Sequence, residues 1–143
     1  MYFRGERINM ENLQKKCITF FSSACYAFCL VKKFRPNASD AEIVRYALDG
    51  YVCGFIEADG YVSQPVQFVN YITDEDEIYV DVKKVDYKKE ELTEKENIVM
   101  WEYNGNTHFV IMDKEGDVIW DPSGNSNTVK YGVPVSIRRF ITK

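Results

Sequence analysis

The chain has 143 residues, 45% of them hydrophobic and 15% aromatic, enough to bury a core without disulfide staples. Its 18 Lys and Arg against 22 Asp and Glu give a net charge of -4. That disfavours a dedicated nucleic-acid binder, which would carry a basic face. A lone histidine, His108, excludes a multi-histidine metal site, and Cys17, Cys25, Cys29 and Cys53 include no C-x-x-C pair, which argues against zinc.

Length and composition predict one domain over residues 1–143, with residues 1–9 irregular. The uncharged run 17–31 lies between Lys15-Lys16 and Lys32-Lys33. No small-x-small cleavage site follows it, and it is too short to span a membrane, so it reads as a buried core helix. The expected setting is the cytoplasm, with reduced and mostly buried thiols. A helix is predicted over about 24–35, stopping before Pro36, with Lys32, Lys33 and Arg35 suited to its C-terminal end. Ser39-Asp40-Ala41-Glu42 is a capping box that opens a second helix, which Gly50 is expected to end. Pro65 opens a short third helix running to about Ile72.

Beyond Asp74 the pattern becomes one of strands. Ile78, Val80 and Val82 alternate with polar neighbours, the period of a half-buried strand. Residues 83–96 form a charged connection, and three strands follow at about 97–104, 107–113 and 117–121. Asn104-Gly105 signals a type I′ hairpin, and residues 114–117 signal another tight turn. A last strand covers about 133–141. Helices first and an antiparallel meander second make an α+β fold, with N-terminal helices packed on a C-terminal sheet.

Three residues carry candidate chemistry. Cys25 follows Ser22-Ser23-Ala24 and falls near a helix N-terminus, where orphan N–H groups and the helix dipole favour a thiolate. Position alone also suits a core thiol, the common fate of free cysteine. Cys29, one turn deeper, reads as core. His108 is the one side chain whose ordinary pKa suits a base near neutrality, although a strand histidine is often only structural. Asp121, in Trp120-Asp121-Pro122, reads by itself as a turn signal. If Glu115-Gly116 form a two-residue turn, Asp121 falls opposite Val110, one diagonal step from His108, a separation of roughly 7–8 Å. A three-residue turn would reverse that parity. Together the three residues follow the logic of an activated thiol: nucleophile, base and orienting carboxylate. The Cys25 N–H would serve as one oxyanion donor, and Gln14 or Thr19 would offer a side chain from upstream.

The segments Ala24-Cys25-Tyr26-Ala27-Phe28-Cys29-Leu30, His108-Phe109-Val110-Ile111 and Gly116-Asp117-Val118-Ile119-Trp120-Asp121-Pro122 resemble the papain-like cysteine peptidase superfamily. The likeness is to its small bacterial branch, which includes bacteriocin-leader peptidases, and to a prophage-associated uncharacterised family. Residues 126–132 and Ser136-Ile137-Arg138-Arg139-Phe140 resemble that uncharacterised family. The resemblance runs from about 11 to 141. It implies a papain-like fold with Cys25 as nucleophile, His108 as base and Asp121 as orienter. Superfamily members often keep a glycine beside the cysteine and an oxyanion glutamine about six residues upstream. Here Ala24 and Tyr26 flank Cys25, and Thr19 stands at the glutamine's place, with Gln14 eleven residues upstream.

The expected function is therefore a cysteine peptidase or amidase acting on a peptide or amide, such as a cell-wall or leader peptide, without cofactor or metal. A catalytically silent relative that binds a peptide or protein in the same groove is the alternative, favoured by ten Tyr, nine Phe and two Trp. Acyl transfer by the same three residues would share the thioester step.

Overall fold

The computed structural model describes residues 2–3, 6–7, 10–74 and 78–143. Within the stretch expected to be irregular, Tyr2–Phe3 (β1) and Glu6–Arg7 (β2) pair antiparallel, and residues 1, 4, 5, 8 and 9 lie outside the described residues.

The apolar run expected as one helix is divided between two, α1 (Met10–Ser22) and α2 (Cys25–Phe34), bent by 58° at the break. The cause is local. The Ser22 hydroxyl donates to the Ile18 carbonyl four residues back, and the Ser23 N–H turns to Phe20 O. A serine that bonds back in this way bends the last turn instead of extending it. No single helix among the described residues is long and apolar enough to cross a membrane.

Helix α3 (Asp40–Val52) starts at the expected box, with Ser39 Oγ accepting from the Glu42 N–H and Glu42 Oε1 accepting from the Ser39 N–H. Gly50 does not end α3; it lies inside the last turn. A Cβ there would stand 2.7 Å from Ile56 and 2.8 Å from Phe68, so the glycine serves close packing, not termination. Helix α4 (Pro65–Thr73) opens on its proline.

Five strands follow: β3 (Tyr79–Asp86), β4 (Asn97–Tyr103), β5 (Asn106–Met112), β6 (Val118–Trp120) and β7 (Val133–Thr142). They form one antiparallel sheet in the order β3-β7-β4-β5-β6, so the strands do not make a simple meander. The charged connection 87–96 parts β3 from β4, and β7 returns to fill the space between them. A register shift between Tyr79 and Asp81 also changes the phase expected in β3. Tyr79 turns inward against Phe34 and Phe140, whereas Ile78 and Val80 are exposed.

Helices α2 and α4 cover one face of this sheet, with α3 packed on α2, giving the expected α+β arrangement. Leu30, Phe68, Ile72, Ile98 and Ile111 are buried in one cluster that joins helices to strands. Each such side chain contributes about 1.5–3 kcal/mol by leaving water. A smaller cluster of Leu92, Val99, Val110, Met112 and Ile137 fills the other face, where Val129 of α5 (Asn127–Tyr131) packs against it. The outcome that matters for chemistry is that the first turn of α2 meets the β5 end that carries His108.

Candidate active site

Cys25 is the first residue of α2. Ala24 precedes it with φ -92° and ψ 15°, and no side chain caps the helix. The first N–H groups of α2 therefore have no intrahelical acceptor and point toward the thiol end. A small turn holds this corner in place. Ile56 bridges Val62, the Glu57 N–H donates to Tyr61 O, and the Tyr61 N–H donates to Asp59 Oδ1. At its tip Gly60, with φ +90°, lies so close to the α1–α2 break that a Cβ would be 2.6 Å from Phe20 O and 2.8 Å from the Ser23 carbonyl carbon.

His108 lies on β5 opposite Trp101. Strand β6 pairs with β5 at Ile111 and Met112 alone, which leaves the His108–Phe109 edge open to the N-terminus of α2. The His108 ring donates from Nε2 to Asp121 Oδ1 at 2.7 Å, with the two side chains only 13% and 9% exposed. Its other nitrogen, Nδ1, is left for the Cys25 thiol, the group that with Asp121 raises the ring's pKa.

Asp121 reaches this position by a different route from the expected one. The turn is not the two-residue type. The Asp113 N–H donates to Asp117 O, which closes a three-residue loop over 114–116 and would place Asp121 on the wrong face. A bulge restores the parity: Met112 pairs with Val118, but Ile111 pairs with Trp120, so Ile119 is the extra residue. Continued by one residue, that register sets Asp121 opposite Val110. Beyond Pro122, Ser123 donates from both its N–H (2.9 Å) and its hydroxyl (2.8 Å) to Asp121 Oδ1, and the Ser126 N–H donates to Oδ2 at 3.2 Å. Ser126 also caps α5, accepting from the Thr128 N–H.

The three groups shift one another. Burial pushes the Cys25 thiol up, but the hydrogen bond and charge of His108, with the N–H groups of Phe109 and Tyr26, bring it below the ordinary thiol value. Burial lowers His108, yet hydrogen bonds to Cys25 and Asp121 and their charges hold it above the usual imidazole range. Burial raises Asp121, and hydrogen bonds from His108 and Ser123 pull it below the usual carboxylate value. Opposed shifts of this kind favour a thiolate beside an imidazolium. Cys29 behaves differently: it is fully buried, and desolvation drives its thiol well up.

Cys25 and His108 line an open cleft of about 640 Å³ between the sheet and the 57–63 turn. Gln14 and Thr19 are not brought there: both are exposed on α1 and neither lines the cleft. The bend at Ser23 turns α2 away from the axis of α1, so spacing upstream of Cys25 does not translate into proximity. The polar side chains beside the thiol turn are those of Ser22 and Ser23. Sequence reading also missed Ser123, which holds Asp121, and Gly60, which seats the thiol turn. Asp-Pro-Ser-Gly was a visible turn signal, but its service to His108 depends on the bulge. Among the described residues no group of three or more His, Cys, Asp or Glu is placed to hold a metal ion.

Residues 2–142 match the family described as "Protein of unknown function, DUF261". No curated protein and no solved structure matches the chain.

Proposed function

The chain belongs to the DUF261 family, and we propose that it is a thiol-dependent hydrolase of peptide or amide bonds. The observation that carries this reading is the alignment of Cys25, His108 and Asp121, from a helix start, a strand and a strand end, with Cys25 and His108 lining one open cleft and Asp121 behind the imidazole. The papain-like resemblance supports the same three roles. In the proposed reaction the Cys25 thiolate bonds to the substrate carbonyl carbon. The C–N bond breaks as the His108 imidazolium gives its proton to the leaving nitrogen, which leaves an acyl thioester. Water then attacks the thioester with His108 taking its proton, and the acid departs as the thiolate reforms. Asp121 keeps the imidazole oriented and stabilises its charged form. The orphan N–H groups at the start of α2 supply the oxyanion donors. An amine in place of water would make the same thioester step an acyl transfer.

The experiment is acylation by p-nitrophenyl acetate, followed by mass mapping. An initial burst of p-nitrophenolate with acetate on Cys25, lost by several orders of magnitude in Cys25→Ala, is expected. Cleavage of a mixed peptide library by wild type and not by Cys25→Ala then identifies hydrolysis. A specific observation favours the second reading, a silent relative that binds a peptide in the groove: Gln14 and Thr19 bring no side-chain donor to Cys25. That reading is the right one if Cys25 reacts with iodoacetamide no faster than a model thiol and acquires no acetyl group.

A further inference from the structure

The floor of the cleft carries a charge that the three-residue chemistry does not use. Arg138 on β7 stands opposite Lys84 on β3, and both line the cleft with Val82, Met100 and Phe109. The Arg138 guanidinium lies 5.2 Å over the Phe109 ring, and that ring stacks on Tyr26 at 4.5 Å, the residue after Cys25. Its donors go to neutral groups, Ser136 Oγ and, at 4.0 Å, Met100 Sδ. Among the described residues no carboxylate is within ion-pair distance of it. A half-buried guanidinium normally has an anionic partner, because its five donors in a fixed fork match a carboxylate. Besides the Cys25 thiolate, which His108 balances, the other charged groups lining the cleft are Lys84 and Asp59, and Asp59 is exposed with one oxygen accepting from the Tyr61 N–H. A cationic floor in a chain of net charge -4 is a local feature, not a reflection of overall composition.

We propose that Arg138, assisted by Lys84, binds a carboxylate of the substrate next to the bond presented to Cys25. The substrate class is then an acidic peptide or amide, its carboxylate either an Asp or Glu side chain or a chain end. This deepens the thiol-hydrolase reading and rests on it for the word substrate, but the anion site is testable by itself. Burial holds the guanidinium somewhat below its ordinary pKa, with the nearby Tyr26 phenol opposing that shift, so an incoming anion meets a cation poorly stabilised by water.

The test compares two alkylating agents of nearly equal size, anionic iodoacetate and neutral iodoacetamide, each displacing iodide to form a thioether on Cys25. Their rate ratio at Cys25, read by mass mapping, reports local charge and cancels changes in thiol reactivity. Arg138→Met is expected to lower the iodoacetate-to-iodoacetamide ratio by about tenfold, and Arg138→Lys to keep most of it. Lys84→Met, an exposed substitution that leaves packing alone, is expected to lower it by about twofold to threefold. Protection of Cys25 from iodoacetamide then identifies the carboxylate: N-acetyl-glutamate amide stands for a side chain and N-acetyl-alanine for a chain end, with N-acetyl-glutamine amide as the neutral control. One acidic probe protecting better than the control supports the proposal. A ratio unmoved in both Met variants, or equal protection by the neutral control, overturns it. A Cys25 that is sluggish toward iodoacetamide while the ratio still follows Arg138 would overturn the hydrolase reading and leave the anion site standing.

Discussion

Asp121 accepts four hydrogen bonds, from His108 Nε2, the Ser123 N–H and hydroxyl, and the Ser126 N–H. Three of these hold it whether or not His108 is charged, so the carboxylate is positioned before any proton moves. Asp121→Asn keeps the shape but gives the ring a neutral partner. The carboxyl titrates below its ordinary value and His108 above its own. A depressed carboxylate contributes stability that is lost as pH falls through its folded pKa, below about 3.9. A raised imidazole contributes stability that is lost as pH rises through its folded pKa, above about 6.5. The difference in urea stability between wild type and Asp121→Asn is therefore expected to peak between those limits at about 1–2 kcal/mol. A difference that stays flat from about pH 2 to about pH 9 would contradict the ion pair. The same substitution lowers the His108 charge at neutrality, so iodoacetamide labelling of Cys25 should need a higher pH and slow by roughly tenfold near pH 6. Ser123→Ala removes one of the four bonds and is expected to show the same shift in labelling, reduced to about twofold.

At the scale of elements, the signals that could be read were those that act within a few residues. Ser39 and Glu42 form their box, Pro65 opens α4, and Asn104 and Gly105 take φ values of 49° and 80° in the β4–β5 turn. What could not be read depends on contacts across the fold. Gly50 looked like a stop because nothing in the sequence places Ile56 and Phe68 against it. Arg138 and Ser123 were invisible as site residues for the same reason, whereas Cys25 and His108 stood out by residue type and local position. Asp121 falls opposite Val110, as a two-residue turn would have it, only because the Ile119 bulge offsets the longer loop, and nothing local in the sequence marks that bulge. Two glycines with positive φ separate local strain from tertiary contact. A Cβ on Gly105 would meet nothing within 4 Å, so Gly105→Ala should cost about 1 kcal/mol from backbone strain alone. Gly60→Ala adds a collision with backbone atoms of Phe20 and Ser23 and is expected to cost upwards of about 3 kcal/mol. It should also alter the iodoacetamide rate of Cys25, which Gly105→Ala should not. Equal costs for the two, or an unchanged thiol in Gly60→Ala, would show that the 57–62 turn does not set the nucleophile corner.

At the scale of the whole molecule, the site is assembled from both halves of the chain, so it exists only while helices and sheet are docked. The buried cluster that joins Leu30 and Phe68 to Ile98 and Ile111 makes neither half independent, since each would expose its apolar face alone. Unfolding should then be one cooperative event, detected together by far-ultraviolet ellipticity and by tyrosine and tryptophan signals. Cys29 supplies an internal probe of the same interface: it is fully buried on α2, one turn beyond Cys25, while Cys17 and Cys53 are exposed. In the folded protein Cys29 should resist alkylation at a urea concentration where Cys17 and Cys53 are already labelled. It should become reactive along the global transition, because α2 cannot release it without leaving the sheet. Leu30→Ala, which opens a cavity in that interface, should lower stability by about 2–5 kcal/mol and move all of these transitions together. If Cys29 becomes reactive well before the sheet signal changes, α2 undocks as a separate unit. The Cys25–His108 contact would then be controlled by that local equilibrium and not by the stability of the fold as a whole.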